Sequence, residues 1–489
     1  MGTIVPRTLN YLLLTFFYTR IFQQGEYGVV TELYAYAAFL LVLLTYGMET
    51  TFFRFMESEK SKLRVFSTSA VSLLTTSGLF IVLVLVFTGQ IAGLIRYSAN
   101  PEYIIYFGFI IGIDAFVSLP FARLRQQRKA FRFATLRIIN VLVNIFLNLF
   151  FLWICPKILQ NDPDSIVRHI YSEEIGVGYA FISNLASSAL MILLLIPEIN
   201  SLRFNLFDPA LLRRMLLYAL PLLVVGLAGM INEVSDKIFL KYLWPDSSTA
   251  LEQVGIYGAS YRLAVLMTLF TQVFRYAAEP FFFAQAKERN HKQVYADVMK
   301  YFIVFGLFIF LGVTLYIDLV QYFIGSDFRE GLHIVPIILM ANLFLGIFYN
   351  LSIWYKLNNL TRYGAIIALT GAVITITLNI LLIPMIGYVG CAWAHFFCYL
   401  VMMIISYFWG RRHLPVDYPL KKIAVYFTSA LLLYLLSQLL WPGNLGYRLA
   451  LNSVLLGFFV IIVYLGERKH LQKAVRRSRD DQSGSGDMD

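Results

Sequence analysis

Apolar runs, each near the length of a bilayer-crossing helix, follow one another along almost the whole chain. A hydrocarbon core takes about 20 apolar residues per helix. Runs of that kind lie near 1–22, 28–50, 66–88, 103–121, 133–155, 175–196, 213–235, 255–276, 300–323, 332–353, 364–384, 388–409, 423–441 and 446–465. The expected fold class is therefore an all-α polytopic membrane protein of about fourteen transmembrane helices. The tightest turn falls at Gly387, between the eleventh and twelfth runs.

Composition agrees. Charged residues are 14% of the chain, against about 25% in soluble domains, too few to cover a water-soluble globule of this size. The 42 Phe and 31 Tyr suit helix ends anchored at a membrane interface. A net charge of +11 would suggest nucleic acid in a soluble protein; here its placement says otherwise. With the N-terminus inside, 30 Lys and Arg fall in inner segments and 8 in outer ones. Basic residues accumulate on the cytoplasmic side, so both termini are expected there. The first run carries Arg7 and lacks a small-residue cleavage site, so it reads as a span and not a signal peptide. No connection is long enough for an extramembrane catalytic domain. The chain carries no phosphate-binding or dinucleotide-binding glycine pattern and no nucleophile elbow, so it is not expected to be an enzyme. Cys155, Cys391 and Cys398 lack paired spacing and read as core-filling residues. No cofactor or metal is expected.

The chain also repeats itself. Tyr27-Gly28 and Tyr46 to Phe53 match Tyr257-Gly258 and Tyr276 to Phe283 at an offset of 230. At 231, Arg125 meets Lys356, Ala134 meets Ala365 and Asn148 meets Asn379. Six spans separate the copies, so they share one orientation, with a pseudo-two-fold axis along the membrane normal. The expected organisation is two parallel six-helix lobes, 1–205 and 206–409, around a central cavity. Two additional transmembrane helices follow over 410–466, then a basic and finally disordered cytoplasmic tail over 467–489.

Ionisable residues within spans are costly and face a bundle interior or a cavity. Arg7 in the first span is either a cation facing the cavity, suited to a phosphate or pyrophosphate through bidentate donation, or a snorkelling arginine. Arg262, about seven residues into the eighth run, matches Glu32 in the repeat, and this opposition suggests an asymmetrically charged cavity or a structural ion pair. Asp114 is a candidate for Na⁺ or H⁺ coupling or for an interhelical hydrogen bond. Glu233, Asp236 and Lys237 close the seventh run, with Glu233 and Lys237 spaced to pair on one face or to form a gate contact. Asn140, Asn144 and Asn148 form a polar stripe, read as interhelical glue or as a lining for sugar hydroxyls. Glu49 and Glu279 recur at inner span ends and, with Arg54 and Arg275, suggest a salt-bridge layer closing the cytoplasmic side. The basic run Arg123 to Arg132 reads as an orientation signal and a contact for anionic lipid. His333 and His395 read as isolated.

These stretches resemble a known family. Tyr18 to Phe22 through Gly28, Asp114 to Arg125, Ser235-Asp236-Lys237, Gly255 through Arg262, and Leu378 to Pro384 through Ala392 resemble bacterial polysaccharide (Wzx-type) flippases. These belong to the multidrug/oligosaccharidyl-lipid/polysaccharide exporter superfamily. The likeness covers about residues 1–410. It implies a polyprenyl-pyrophosphate-linked oligosaccharide, flipped from the inner to the outer leaflet of the bacterial inner membrane by alternating access around a cationic cavity. Arg7 and Arg262 are then the expected pyrophosphate contacts, with Na⁺ or H⁺ as coupling ion. Family members usually have several residues before the equivalent of Gly2, so the start reads as truncated, which bears on the depth of Arg7.

The partners expected are this lipid-linked glycan and membrane lipids, with a glycan polymerase or assembly proteins also open, and no nucleic acid. A lipid II flippase and an ion-coupled multidrug antiporter are the nearest rivals. Prominent arginine weighs against the antiporter, whose cavity would favour acidic and aromatic residues. A membrane-embedded polymerase would need a large catalytic outer loop.

Overall fold

The computed structural model describes the backbone of residues 4–440 and 443–484 and the side chains of 13–440 and 443–468. Regular structure among these residues is helical throughout. The helices used below are α1 (Ile4–Ile21), α2 (Gln24–Thr45), α3 (Met48–Ser58), α4 (Lys62–Val86), α5 (Glu102–Gln126), α6 (Ala130–Leu149), α7 (Gly178–Leu194) and α8 (Pro209–Leu243). They continue with α9 (Ala250–Leu263), α10 (Val265–Gln285), α11 (His291–Leu315), α12 (Val335–Leu351), α13 (Thr361–Ile386), α14 (Tyr388–His413), α15 (Leu420–Leu439) and α16 (Leu445–Gly484).

Each of the fourteen apolar runs falls on helix. Eleven helical stretches are long and apolar enough to cross a bilayer, and α9 with α10, broken at Ala264, makes a twelfth. The two remaining runs fall on the shorter α7 and on α1. Fourteen spans are thus compatible with the helices, and the chain is a multi-pass membrane protein.

Local chemistry sets the helix ends. Gln23 and Glu26 form a capping box that starts α2, satisfying N–H groups that the first turn leaves open. Asp208 accepts from the Ala210 and Leu211 amides, and Pro209 occupies the first turn of α8, where its missing N–H costs nothing. Gly387, at φ +57°, makes the short α13–α14 turn in the left-handed region that glycine enters without penalty.

Contacts divide the chain into two compact units. The first holds Met1–Arg262, Ile324–Gly331 and Arg362–Cys398; the second holds Leu263–Phe323, Leu332–Thr361 and Tyr399–Asp489. In the first, Gly108 and Gly112 of α5 pack against Val84 and Ile81 of α4. The start of α2 meets α9 closer still. A Cβ at Gly28 would collide with the Leu251 backbone, and one at Gly255 with the Gln24 backbone. Small residues allow such backbone approach where water gives helices no hydrophobic drive to associate. Gly255→Val is expected to lose about 1–3 kcal/mol by overpacking, read as a lower melting midpoint of the detergent-purified protein. No change in that midpoint would remove the close contact from consideration.

The second unit is fastened by buried charge. Glu467 on α16 accepts from Lys300 of α11 at 2.7 Å, Lys422 of α15 at 3.1 Å and the Tyr426 hydroxyl at 2.9 Å. At their opposite ends Arg448 pairs with Asp318 at 2.5 Å, and Asn452 donates to the Leu315 carbonyl at 2.5 Å. Within the same unit an almost wholly apolar groove of about 510 Å³ runs between Met299 and Ile303, Phe344 and Ile347, Ile404 and Phe408, and Ile423 and Phe427.

Candidate substrate cavity

Six helices of the first unit converge on a cavity of mixed polarity, about 360 Å³ in volume. Its wall takes Thr15 and Tyr18 from α1, and Tyr27, Thr31 and Tyr34 from α2. Asn140 and Asn144 come from α6, Asn184 from α7, Glu233 and Lys237 from α8, and Tyr261 and Arg262 from α9. The wall therefore carries two cationic side chains and one acid amid a belt of phenols and amides. A guanidinium offers planar paired donors to an oxyanion, and phenol and amide groups can hydrogen-bond sugar hydroxyls or stack on sugar rings.

The belt is held by hydrogen bonds within it. Asn148 donates to the Asn144 carbonyl at 2.8 Å and to its side-chain oxygen at 3.1 Å. It accepts from the Tyr18 hydroxyl at 2.6 Å. Asn140 donates to the Ser187 carbonyl at 3.1 Å, and Asn184 donates to the Tyr34 hydroxyl at 2.7 Å. The asparagine stripe thus divides: Asn140 and Asn144 line the cavity, while fully buried Asn148 sits behind Tyr18 and orients it. Tyr18→Phe is accordingly expected to weaken transport, Asn148→Ala to weaken it more because it also loses the bonds to Asn144, and the double variant to lose little beyond Asn148→Ala, because both break the Tyr18–Asn148 bond. Additive losses in a transport assay would separate the two residues.

Several expected partnerships are different in the structure. Glu32 is not on the cavity wall opposite Arg262. It is buried, accepting from Lys241 at 2.9 Å and the Tyr97 hydroxyl at 2.5 Å. Lys241 lies in the last turn of α8, on a helix the sequence offers no direct way to lay against α2. Lys237 does not take the Glu233 carboxylate as its ion-pair partner. Its ammonium lies 3.2 Å from Asp236 and 3.3 Å from the Glu233 backbone carbonyl. Adjacent residues on a helix rarely face each other, but the flexible lysine stem curls back. Nor is His395 isolated: its Nδ1 stands 3.3 Å from Asp236, brought there by α14.

Arg54 and Arg275 do not complete the acidic pair at the inner span ends. Glu49 bonds Arg125, and Glu279 lies 2.9 Å from Lys356; Arg54 and Arg275 lie over the Tyr218 and Tyr349 rings instead. Each pair stays within one unit. The acids and their bases are the positions the repeat matches, at offsets of 230 and 231. The basic run after the fourth span also makes contacts within the protein: Arg132 pairs with buried Glu198 at 2.9 Å, and Arg123 lies over Phe66.

Asp114 accepts from Ser188 at 2.9 Å, behind the wall near Tyr34 and Arg137. Arg7 lies on α1, but its side chain falls outside the described residues. Cys155, Cys391 and Cys398 are buried and take no part in disulfides. Among the described residues no three His, Cys, Asp or Glu side chains gather as metal ligands. Sequence reasoning missed Asn184 and the tyrosines of the wall, whose abundance along the chain hides which few converge.

The family described as polysaccharide biosynthesis protein matches residues 1–285. A solved lipid II flippase MurJ in an inward closed conformation shares the fold, with TM-score 0.73 and 16% identity, covering 96% of this chain and 98% of that one. An inward-facing multidrug resistance MATE family transporter of the MOP superfamily aligns with TM-score 0.64 and 14% identity over 84% of this chain and 94% of its own. A MATE in complex with MaD3S follows, with TM-score 0.59 and 14% identity over 84% and 93%. No curated protein matches by sequence. At these identities the structural likeness is one of fold, a fold of membrane transporters and flippases.

Proposed function

The chain belongs to the polysaccharide biosynthesis protein family, and on that premise we propose that it flips a polyprenyl-pyrophosphate-linked oligosaccharide across the bacterial inner membrane, from inner to outer leaflet. The observation that carries this reading is the cavity wall: Arg262 and Lys237 beside a Tyr and Asn belt, on helices of a membrane protein. Pyrophosphate meets the cations, and the first sugars meet Asn140, Asn144 and Asn184. Arg7 is a further pyrophosphate contact in this reading. Both termini are cytoplasmic.

Alternating access would be carried by two six-span lobes, 1–205 and 206–409, with 410–466 as added spans. The recurring Glu49–Arg125 and Glu279–Lys356 pairs support that repeat, each fastening equivalent segments. The acids would hold the inner ends of their lobes as these rock. Asp114, with a hydroxyl partner and Arg137 nearby, is the proposed Na⁺ or H⁺ coupling residue. Asp114→Asn is expected to remove the dependence of export on one of those gradients, and unchanged dependence on both would discard that role.

The apolar groove of the second unit has the chemistry of a polyprenyl chain. Ile423→Asp, placed in it, is expected to slow flipping of long-chain substrate more than of a short-chain analogue; equal slowing would assign the groove to bulk lipid. A lipid II flippase offers the same pyrophosphate chemistry and is the rival reading. The deciding experiment deletes the gene and follows radiolabelled glycan. Lipid-linked oligosaccharide held in the inner leaflet supports the proposal. Accumulated lipid II, or no accumulation of either, overturns it.

A further inference from the structure

Behind Lys237 the first unit buries a chain of polar contacts that cavity binding alone does not require. Asp236 is fully buried; one carboxylate oxygen is 3.2 Å from Lys237 and the other 3.3 Å from Nδ1 of His395, itself 1% exposed. The Tyr257 hydroxyl approaches the same Nδ1 at 3.5 Å, and the Tyr261 ring stands edge-on to the imidazole. Lys237, 12% exposed, is the charged member of this group that reaches the cavity, beside Tyr261. The groups facing His395 are therefore Asp236 and Lys237 from α8, Tyr257 and Tyr261 from α9, and Cys391 on its own helix.

One buried carboxylate thus stands between two bases. With His395 neutral, Asp236 balances the Lys237 ammonium, and that charge is spent inside the wall. With His395 protonated, the imidazolium balances Asp236, and the ammonium that faces the cavity beside Glu233 is no longer held by Asp236. Burial makes the exchange strict, since an uncompensated charge away from water is expensive. Histidine is the side chain that makes such an exchange between pH 5 and 8.

We propose that His395 is a proton-accepting positioning residue: its protonation releases Lys237 from Asp236 toward an anionic group in the cavity, so that anion binding and proton uptake reinforce each other. The proton is taken from solvent onto the imidazole, and no covalent bond is made or broken elsewhere. This rests on the reading of the cavity as a pyrophosphate site. By linkage, an anion bound at Lys237 raises the proton affinity of His395 by the same factor that the proton raises anion affinity.

The test uses the full-length protein in lipid nanodiscs with farnesyl pyrophosphate as probe, titrated calorimetrically from pH 5.5 to 8.5 in buffers of differing ionisation heat. Wild-type protein is expected to bind about tenfold more tightly at the acid end, beyond the probe's own titration, a typical size for coupling between sites. It should also take up a proton on binding. His395→Gln should flatten that profile, and Asp236→Asn should give tight binding at every pH. Wild-type binding without proton uptake beyond the probe's own overturns the proposal, whatever the variants do. Binding that Arg262→Ala and Lys237→Ala leave unchanged removes the cavity reading itself. Loss of affinity in those two, with an unaltered pH profile in His395→Gln, sinks the histidine proposal alone.

Discussion

Arg262→Ala is expected to abolish glycan export while the protein still accumulates in the membrane at the wild-type level. The guanidinium lies on the cavity wall and, in the flippase reading, meets pyrophosphate with two parallel donors. Charge-assisted bonds of that kind are about twice as strong as neutral ones. Truncating one partner of a desolvated charged contact typically costs about 2–5 kcal/mol, enough to reduce binding by roughly one and a half to nearly four orders of magnitude. Arg262→Lys keeps the charge but loses the fork, so it should recover only part of the export. The measurement is surface glycan per unit of membrane-inserted protein. Normal export by well-inserted Arg262→Ala would end the pyrophosphate role. Loss of the protein together with export would make Arg262 a folding residue instead.

The fold was legible because its signal is one-dimensional. Run length and the bias of Lys and Arg between alternate loops need no knowledge of which helix touches which, and the fourteen runs all met helix. The repeat is written in the same one-dimensional way, and it aligns Arg125 with Lys356 before either has a partner. Partnership itself is three-dimensional, and there the sequence pointed to near neighbours. Arg54 is close to Glu49 along the chain, but Arg125 meets it because α3 packs against α5. Glu233 and Lys237 have ideal helical spacing, yet the lysine turns to the adjacent Asp236, which α14 has also supplied with His395. Arg262 stood out because a lone charge in an apolar run is conspicuous. Tyr18 and Tyr34 did not, because among 31 tyrosines nothing local marks the few that share a cavity.

Lys241 makes the largest stability prediction, and it follows from a pair the sequence concealed. Its ammonium is 2.9 Å from Glu32 and 2.8 Å from the Ile95 carbonyl, and it lies 3.7 Å over the Tyr97 ring. The side chains of both partners are nearly inaccessible, at 5% and 0% exposure. Lys241→Met keeps the volume but leaves the buried Glu32 carboxylate without its counter-charge, and removing one member of a buried pair costs about 3–5 kcal/mol. The variant should melt far below wild type in detergent and accumulate poorly. Glu32→Gln added to it removes the stranded charge while leaving a group that the Tyr97 hydroxyl can still bond, so most of the stability should return. A double variant no more stable than Lys241→Met would place the loss in the lysine's contacts with Ile95 and Tyr97, not in the charge. The restored protein then reports on function. Glu32 is on α2, in the first sequence repeat, and Lys241 on α8, in the second. In an alternating-access cycle such a pair must part or move together, and a neutral replacement changes the energy of parting. The restored double variant is therefore expected to fold but to export more slowly. Export at the wild-type rate would make the pair a fastener with no part in the cycle.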